Sequence, residues 1–211
     1  DESGAMEARE PNAALDRIRS EGQVPIAIVA TAGTTDLGAV DPIGTIADSA
    51  ADAGCWLHVD APVGGAFALS DRLRPLLDGI NRADSVTVDF HKLWWQPLNA
   101  SALVVRDAAL FDLIKVHSAY LDRGDEFEGT TNLVGRSLDT SRRFDAAKVV
   151  VSLRTLGRHT MAQIFEHLVD LAQFAAREVQ NNSSLELIAE PMTVMCVFGQ
   201  KAQPGFRLEE G

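Results

Sequence analysis

Three short apolar runs, PIAIVAT at residues 25–31, CWLHVD at 55–60 and DSVTVD at 84–89, are separated by a helix-length stretch and then by a brief helical turn in DRLRPLLDG. Strands recurring at this interval with helical segments between them build parallel βαβ units, so the first half of the chain is expected to form an α/β layered sheet. PIAIVAT does not alternate apolar with polar, which predicts a strand covered on both faces. Asp41-Pro42 opens the intervening helix, with Asp as N-cap and Pro at the first helical position, and Gly54 closes it. A short surface helix around residues 11–21, stopped by Gly22, precedes the first strand. SALVVR at 101–106 follows the third strand too soon for a crossover helix and is expected to pair antiparallel with it.

The pattern changes further on. Residues 107–117 read as helical, and 119–141 are polar with Gly124, Gly129 and Gly135. An apolar helix is predicted over 144–157, ending at Gly157. A second is predicted over 160–180, where Met161, Ile164, Phe165, Leu168, Leu171, Ala172, Ala175 and Val179 fall at helical spacing. LELIAEP and MTVMCVFG then read as two strands of a smaller α+β piece.

Composition narrows what such a fold could do. Thirty acidic against nineteen basic residues leave a net charge of −11 and a pI near 4.8. That is the wrong electrostatic footprint for gripping a phosphate backbone, so nucleic acid is not an expected partner. No apolar run approaches the roughly 18 residues of a membrane helix, and no signal segment opens the chain, so no membrane partner and a cytoplasmic location are expected. Cys55 and Cys196 lie in apolar, strand-like segments and read as two buried thiols in a reducing compartment. The opening at Asp1 without Met and the close in KAQPGFRLEEG read as cut ends, those of a fragment.

The residues that carry chemistry cluster where strands end. Asp60 closes CWLHVD, and the third strand runs through Asp89 into a loop that bears His91 and Lys92. In open α/β sheets ligands bind outside the carboxyl ends of the strands, so Asp60, Lys92 and the strand-end segment TAGTTDLG (31–38) are expected to share one crevice. A lysine and a carboxylate placed together suit pyridoxal phosphate chemistry: the lysine holds the aldehyde as a Schiff base, and the carboxylate keeps the pyridine nitrogen protonated. From residue types alone, a structural Asp60–Lys92 ion pair with His91 as a hydrogen-bonded loop residue is the favoured reading. Other candidates are bland. His58-x-Asp60 has the look of a metal pair but lacks a third ligand. His159 and His167 read as polar-face residues of one helix, Trp94-Trp95 as core or interface aromatics, and Arg142-Arg143 as carboxylate or phosphate contacts or a helix-start ion pair.

TAGTTDLGAVDP, WLHVDAPVGGA and ADSVTVDFHKLWWQP, in this order, together with TNLVGRSLDTSRRFDAAKVVVSLRTLG, resemble the group II pyridoxal-phosphate-dependent amino acid decarboxylases, nearest the diaminobutyrate-type branch. The resemblance implies fold type I of pyridoxal phosphate enzymes. Residues 1–141 would belong to the cofactor-binding large domain, and 142–211 to connecting helices and the start of a small α+β domain. It implies an L-amino acid substrate, pyridoxal 5'-phosphate as cofactor and a homodimer. Lys92 is then the Schiff-base lysine, Asp60 the partner of the pyridine nitrogen, Thr35 a neighbour of the cofactor, and Ser85 and His91 phosphate contacts. Tyr120, in AYL 28 residues after Lys92, matches a loop tyrosine that gives a proton to the substrate carbon. Departures from the family pattern are Asp89 where Asn is usual, and Pro62-Val63 where Ala-Tyr is usual, which bears on ring packing and substrate fit. The neighbouring reaction classes are a transaminase and a sulfur-removing lyase, and the non-enzyme alternative is an inert truncated chain.

Overall fold

Ala30 on the first strand and Leu57 and Val59 on the second are fully enclosed, and this inward row decides how the rest is laid down. In the computed structural model, residues 2–114, 141 and 143–201 are described. Among them the helices are α1 (Glu10–Ser20), α2 (Ile43–Ala53) and α3 (Ala146–Asn181), and the strands are β1 (Ala27–Thr31), β2 (Trp56–Asp60), β3 (Ser85–Asp89), β4 (Ser101–Val105), β5 (Leu185–Ala189) and β6 (Val197–Gln200). The first four strands form one sheet in the order β1-β2-β3-β4. The first three run parallel and β4 returns antiparallel, as expected from the short link before it.

Strand residues alternate between faces, so Ile28, Ala30, Leu57, Val59, Val86 and Val88 point one way. That side packs on Ile46, Ala47 and Ala50 of α2, on Ala66 and Phe67 of a 3-10 turn at Gly64–Leu69, and on Met161, Phe165 and Val169 of α3 in one hydrophobic core. A fully enclosed side chain such as Phe67 or Leu57 contributes about 1.5–3 kcal/mol through removal from water. Since α3 seals the same core as β1 to β3, the core continues across residue 142.

Several expectations need correction. Val29 and Ile26 are exposed, so β1 is not covered on both faces among the described residues: only its Ala30 side meets the core. Asp41 does not cap α2. Its carboxylate instead accepts the backbone N–H groups of Met6 and Thr31, both at 2.7 Å, and the N-cap position falls to Pro42. Buried at 7% exposure, Asp41 thus ties the amino-terminal segment to the end of β1. The stretch after β4 is helical as expected, winding as a 3-10 helix over Ala108–Ile114 among the described residues.

α3 comprises the two predicted carboxyl-terminal helices joined across a kink at Gly157, as the glycine stop predicted; its φ of 76° and ψ of 160° are not helical, and only glycine adopts that φ without strain. Of the helix's expected stripe Met161, Phe165, Ala172 and Val179 are buried; Ala162, Val169 and Ala176 join them on the inner line, and Leu171 is instead about half exposed. Small side chains on the inner line let the helix approach the layer beneath it, which close packing favours. Ser70 and Arg72 fasten this helix, Ser70 Oγ to Glu166 and the Arg72 guanidinium to Asp170 at 2.8 Å. The hydrogen bond to Asp170 raises the Arg72 pKa still further.

β5 and β6 pair antiparallel, but the second strand begins only at Val197. The residues before it are drawn elsewhere: Thr193 is fully buried and its Oγ1 donates to Gly38 O at 2.8 Å. Both cysteines are free and half-buried rather than buried, and desolvation followed by the charge of Glu190 pushes the Cys196 thiol up. No helix among the described residues is long and apolar enough to cross a membrane.

Candidate active site at the carboxyl ends of the parallel strands

The parallel register places Thr31, Asp60 and Thr87 in one row at the carboxyl ends of β1, β2 and β3. They lie on the face opposite the core, the side that also carries His58, Ser85 and Asp89. Asp60 is half-buried, and Thr87 Oγ1 donates to its Oδ1 at 3.0 Å. Among the described residues Oδ2 has no hydrogen-bond partner, so one carboxylate oxygen is held and the other is offered outward. Thr87 was not singled out in the sequence. Its position two residues after Ser85 on a strand level with Asp60 was the available signal.

Three residues beyond β3, Lys92 sits at the same end of the sheet as Asp60. Its Nζ lies 3.5 Å from Asp89 Oδ2, and its side chain is 42% exposed, so the contact is a weak one that a reacting group can displace. No Lys92–Asp60 ion pair exists among the described residues, which removes the simple structural pairing of those two. Asp89 is the hub of this corner. Ser101 Oγ donates to its Oδ1 at 2.6 Å, and His91 Nε2 stands 3.7 Å from its Oδ2. The Asp at this position thus holds the lysine loop to β4.

The loop is pinned at both ends. Phe90 and His91 each give a backbone N–H to Ala100 O, at 2.8 and 3.1 Å, and the His91 ring meets the same carbonyl through Nδ1 at 3.0 Å. Gln96 donates to Trp94 O at 2.8 Å and to Ser152 Oγ of α3 at 2.9 Å. Trp94 is a core aromatic, edge-on to Phe90 at 5.0 Å and to Phe165 at 5.8 Å, whereas Trp95 is exposed. The lysine therefore rides on a segment whose base is buried against α3.

The segments following β1 and β2 pack on one another. Val63 is buried against Gly33, where any Cβ would lie 2.9 Å from Val63 Cβ, and Gly64 N donates to Ala32 O at 2.9 Å. Val63 is thus a packing residue between two turns. Thr35, on the turn after β1, is exposed at the same end as Asp60, and Thr193 and Met195 back that turn at Gly38.

Ser85 is not brought to this end. It begins β3, level with His58, is 6% exposed and is engaged by Trp56 Nε1 at 2.9 Å and His58 Nδ1 at 2.8 Å. A strand of five residues separates it from the lysine loop, so the phosphate contact expected of it does not fit its place. Tyr120 and Arg142 lie outside the described residues, and Arg143, which is described, reaches Asp145 at 3.7 Å as a helix-start ion pair. His58 is occupied by two hydroxyls, and no metal-binding group of three His, Cys, Asp or Glu exists among the described residues. His159 and His167 are exposed on α3, as read from the sequence.

The donor set fits pyridoxal phosphate: a half-exposed primary amine, a carboxylate with one outward oxygen, and a turn of small residues after β1, all at one end of a parallel sheet.

Comparison with known proteins shows the family. The pyridoxal-dependent decarboxylase conserved domain matches residues 1–201. The chain is 40% identical over 199 residues to an L-2,4-diaminobutyrate decarboxylase of Rhizobium meliloti (strain 1021), covering 94% of this chain and 40% of the relative. It is 36% identical over 198 residues to an enzyme of the same name from Acinetobacter baumannii, covering 93% and 39%. Among solved structures it superposes with TM-score 0.81 and 32% identity on the glutamate decarboxylase domain of diaminobutyrate-pyruvate transaminase and L-2,4-diaminobutyrate decarboxylase from Vibrio parahaemolyticus, over 96% of this chain and 38% of that one. The chain therefore spans about two-fifths of the length of the relatives it matches.

Proposed function

Since this chain belongs to the pyridoxal-dependent decarboxylase family, we propose that the full-length protein removes the α-carboxylate of an L-amino acid as carbon dioxide, with Lys92 and Asp60 as the residues that hold the cofactor. The observation that carries this reading is the pair itself, both members at the carboxyl end of the sheet: Lys92 with only a displaceable contact to Asp89, and Asp60 with Oδ1 held by Thr87 and no hydrogen-bond partner to Oδ2 among the described residues. When bound, pyridoxal phosphate supplies an electron sink for the pair of electrons left by the departing carboxylate.

The chain's own residues do the rest. Lys92 would carry the cofactor through its Nζ and be displaced from it by the substrate amine. Asp60 Oδ2 would accept a hydrogen bond from the ring nitrogen. Asp89 would give up Lys92 when the cofactor takes the amine and would keep Ser101 and His91, so the loop would stay held to β4. An ionised Asp89 repels a phosphate, so His91 is the residue of this corner suited to face one. Thr35, exposed on the turn after β1, would approach the cofactor from the neighbouring strand end. Tyr120 would return the proton to the substrate carbon, a role its phenol can fill. Residues 1–141 would form part of the large domain and 142–211 the connecting helices and the start of the small one. The complete protein would be a cytoplasmic homodimer.

L-2,4-diaminobutyrate is the first substrate to assay, because it is named for the two relatives above. Carbon dioxide release by the full-length protein with pyridoxal phosphate, and without a keto acid acceptor, supports the reading. Turnover only when a keto acid is supplied shows a transaminase instead.

A further inference from the structure

Asp60 is the last member of a run of hydrogen bonds that crosses the open face of the sheet. Trp56 Nε1 donates to Ser85 Oγ at 2.9 Å, and Ser85 Oγ lies 2.8 Å from His58 Nδ1. His58 Nε2 lies 3.0 Å from Thr87 Oγ1, which donates to Asp60 Oδ1 at 3.0 Å. The five side chains alternate between β2 and β3, and the pairing of His58 with Ser85 and Asp60 with Thr87 brings them into line. A one-residue slip of β3 would turn both hydroxyls to the other face.

The direction of these bonds is fixed from both ends. An indole N–H can only donate, so Ser85 Oγ accepts from Trp56 and retains its own hydrogen to give to His58 Nδ1. An ionised carboxylate can only accept, so the Thr87 hydrogen points at Asp60, and Thr87 accepts from His58 Nε2. One state of His58 meets both demands: the neutral ring with its proton on Nε2. A proton on Nδ1 could find the second lone pair of Ser85 Oγ, but it would leave the Ser85 hydrogen without an acceptor among the described residues.

We propose that His58 is a positioning residue for Asp60, held in the Nε2–H tautomer by Trp56 and Ser85 and acting through Thr87. This rests on the reading of Asp60 as the partner of the cofactor ring. A threonine hydroxyl rotates freely unless its lone pairs are taken. Donation from His58 takes one and leaves the Thr87 hydrogen no better acceptor than Asp60 Oδ1. That bond holds the carboxylate plane and leaves Oδ2 as the oxygen offered to the ring nitrogen. Aligned bonds in a half-buried setting reinforce one another, and the last of them, to a carboxylate, is charge-assisted.

The test uses the full-length protein. Imidazole ¹⁵N spectra, with His58 assigned by the signals lost in His58→Gln, read the tautomer without any cofactor. The expected result is a protonated Nε2 and a bare Nδ1. A proton on Nδ1, or exchange between the two forms, overturns the proposal. Loss of bound pyridoxal phosphate on dilution is then followed in Thr87→Val, Thr87→Ser and His58→Leu. Thr87→Val and His58→Leu are expected to lose it about tenfold faster than the parent, with Thr87→Ser within about twofold of it, since only the hydroxyl is needed. Equal retention in Thr87→Val and the parent overturns the role of the chain. A parent that binds no pyridoxal phosphate overturns the proposed function and with it this role for Asp60, a failure the tautomer measurement tells apart from a wrong hydrogen-bond direction.

Discussion

On one face of the four-stranded sheet, Ala30, Leu57 and Val59 are sealed against α2, the 64–69 turn and α3. On the other, one residue along each strand, His58, Asp60, Ser85 and Thr87 are joined by hydrogen bonds, with all but Ser85 left half open. The same five-residue strands carry both. The apolar face is held by volume, so what matters there is size and shape, and a side chain of similar bulk can substitute. The polar face is held by the direction of each donor, so a change that leaves volume untouched can empty it of meaning. The comparison teaches that stability and chemistry are separated by the pleat of a strand rather than by distance along the chain.

The largest expected effect is on the apolar side. Phe67→Ala, at a fully enclosed position, should lower the unfolding free energy by about 3–5 kcal/mol in urea titration. A loss below about 1 kcal/mol would show that this face is not the source of stability. Next is Asp60→Asn on the polar side, which should cut turnover of the full-length enzyme by about a hundred to a thousandfold while shifting the unfolding free energy by no more than about 0.5 kcal/mol. A large fall in stability would erase the division between the faces. The smallest effect belongs to the bridge between them. Gln96→Ala breaks the link from the lysine loop to Ser152 and should cost about 1 kcal/mol, with Ser152→Ala adding little in the double variant. Full additivity of the two would show that the loop is not tied to α3 through this pair.

Much of the apolar architecture was legible because apolar runs and glycine stops are local signals. The three parallel strands, the antiparallel return of β4 and the break at Gly157 could be read from them. So could the placement of Asp60 and the Lys92 loop at one end of the sheet, since both follow from strand direction alone. What could not be read depends on partners distant in the sequence. Asp41 looked like a helix cap because it precedes Pro42, yet the Met6 and Thr31 amides compete for its carboxylate and win. MTVMC looked like a strand until Thr193 found Gly38, which lies 155 positions earlier. Ser85 shares a motif with Lys92 but not an end of the strand, and Thr87 was silent because a threonine in a β-branched run reads as strand propensity. The inner line of α3 was read only in part, because Ala162 and Ala176 are small residues that hydropathy ranks below Leu171, which is exposed.

The most direct test of the site asks which lysine the cofactor chooses. The full-length protein is loaded with pyridoxal phosphate, reduced with borohydride and digested, and the modified peptide is identified by mass. The account predicts a single label, on Lys92. Label on another lysine, or none after the cofactor has bound, would contradict it.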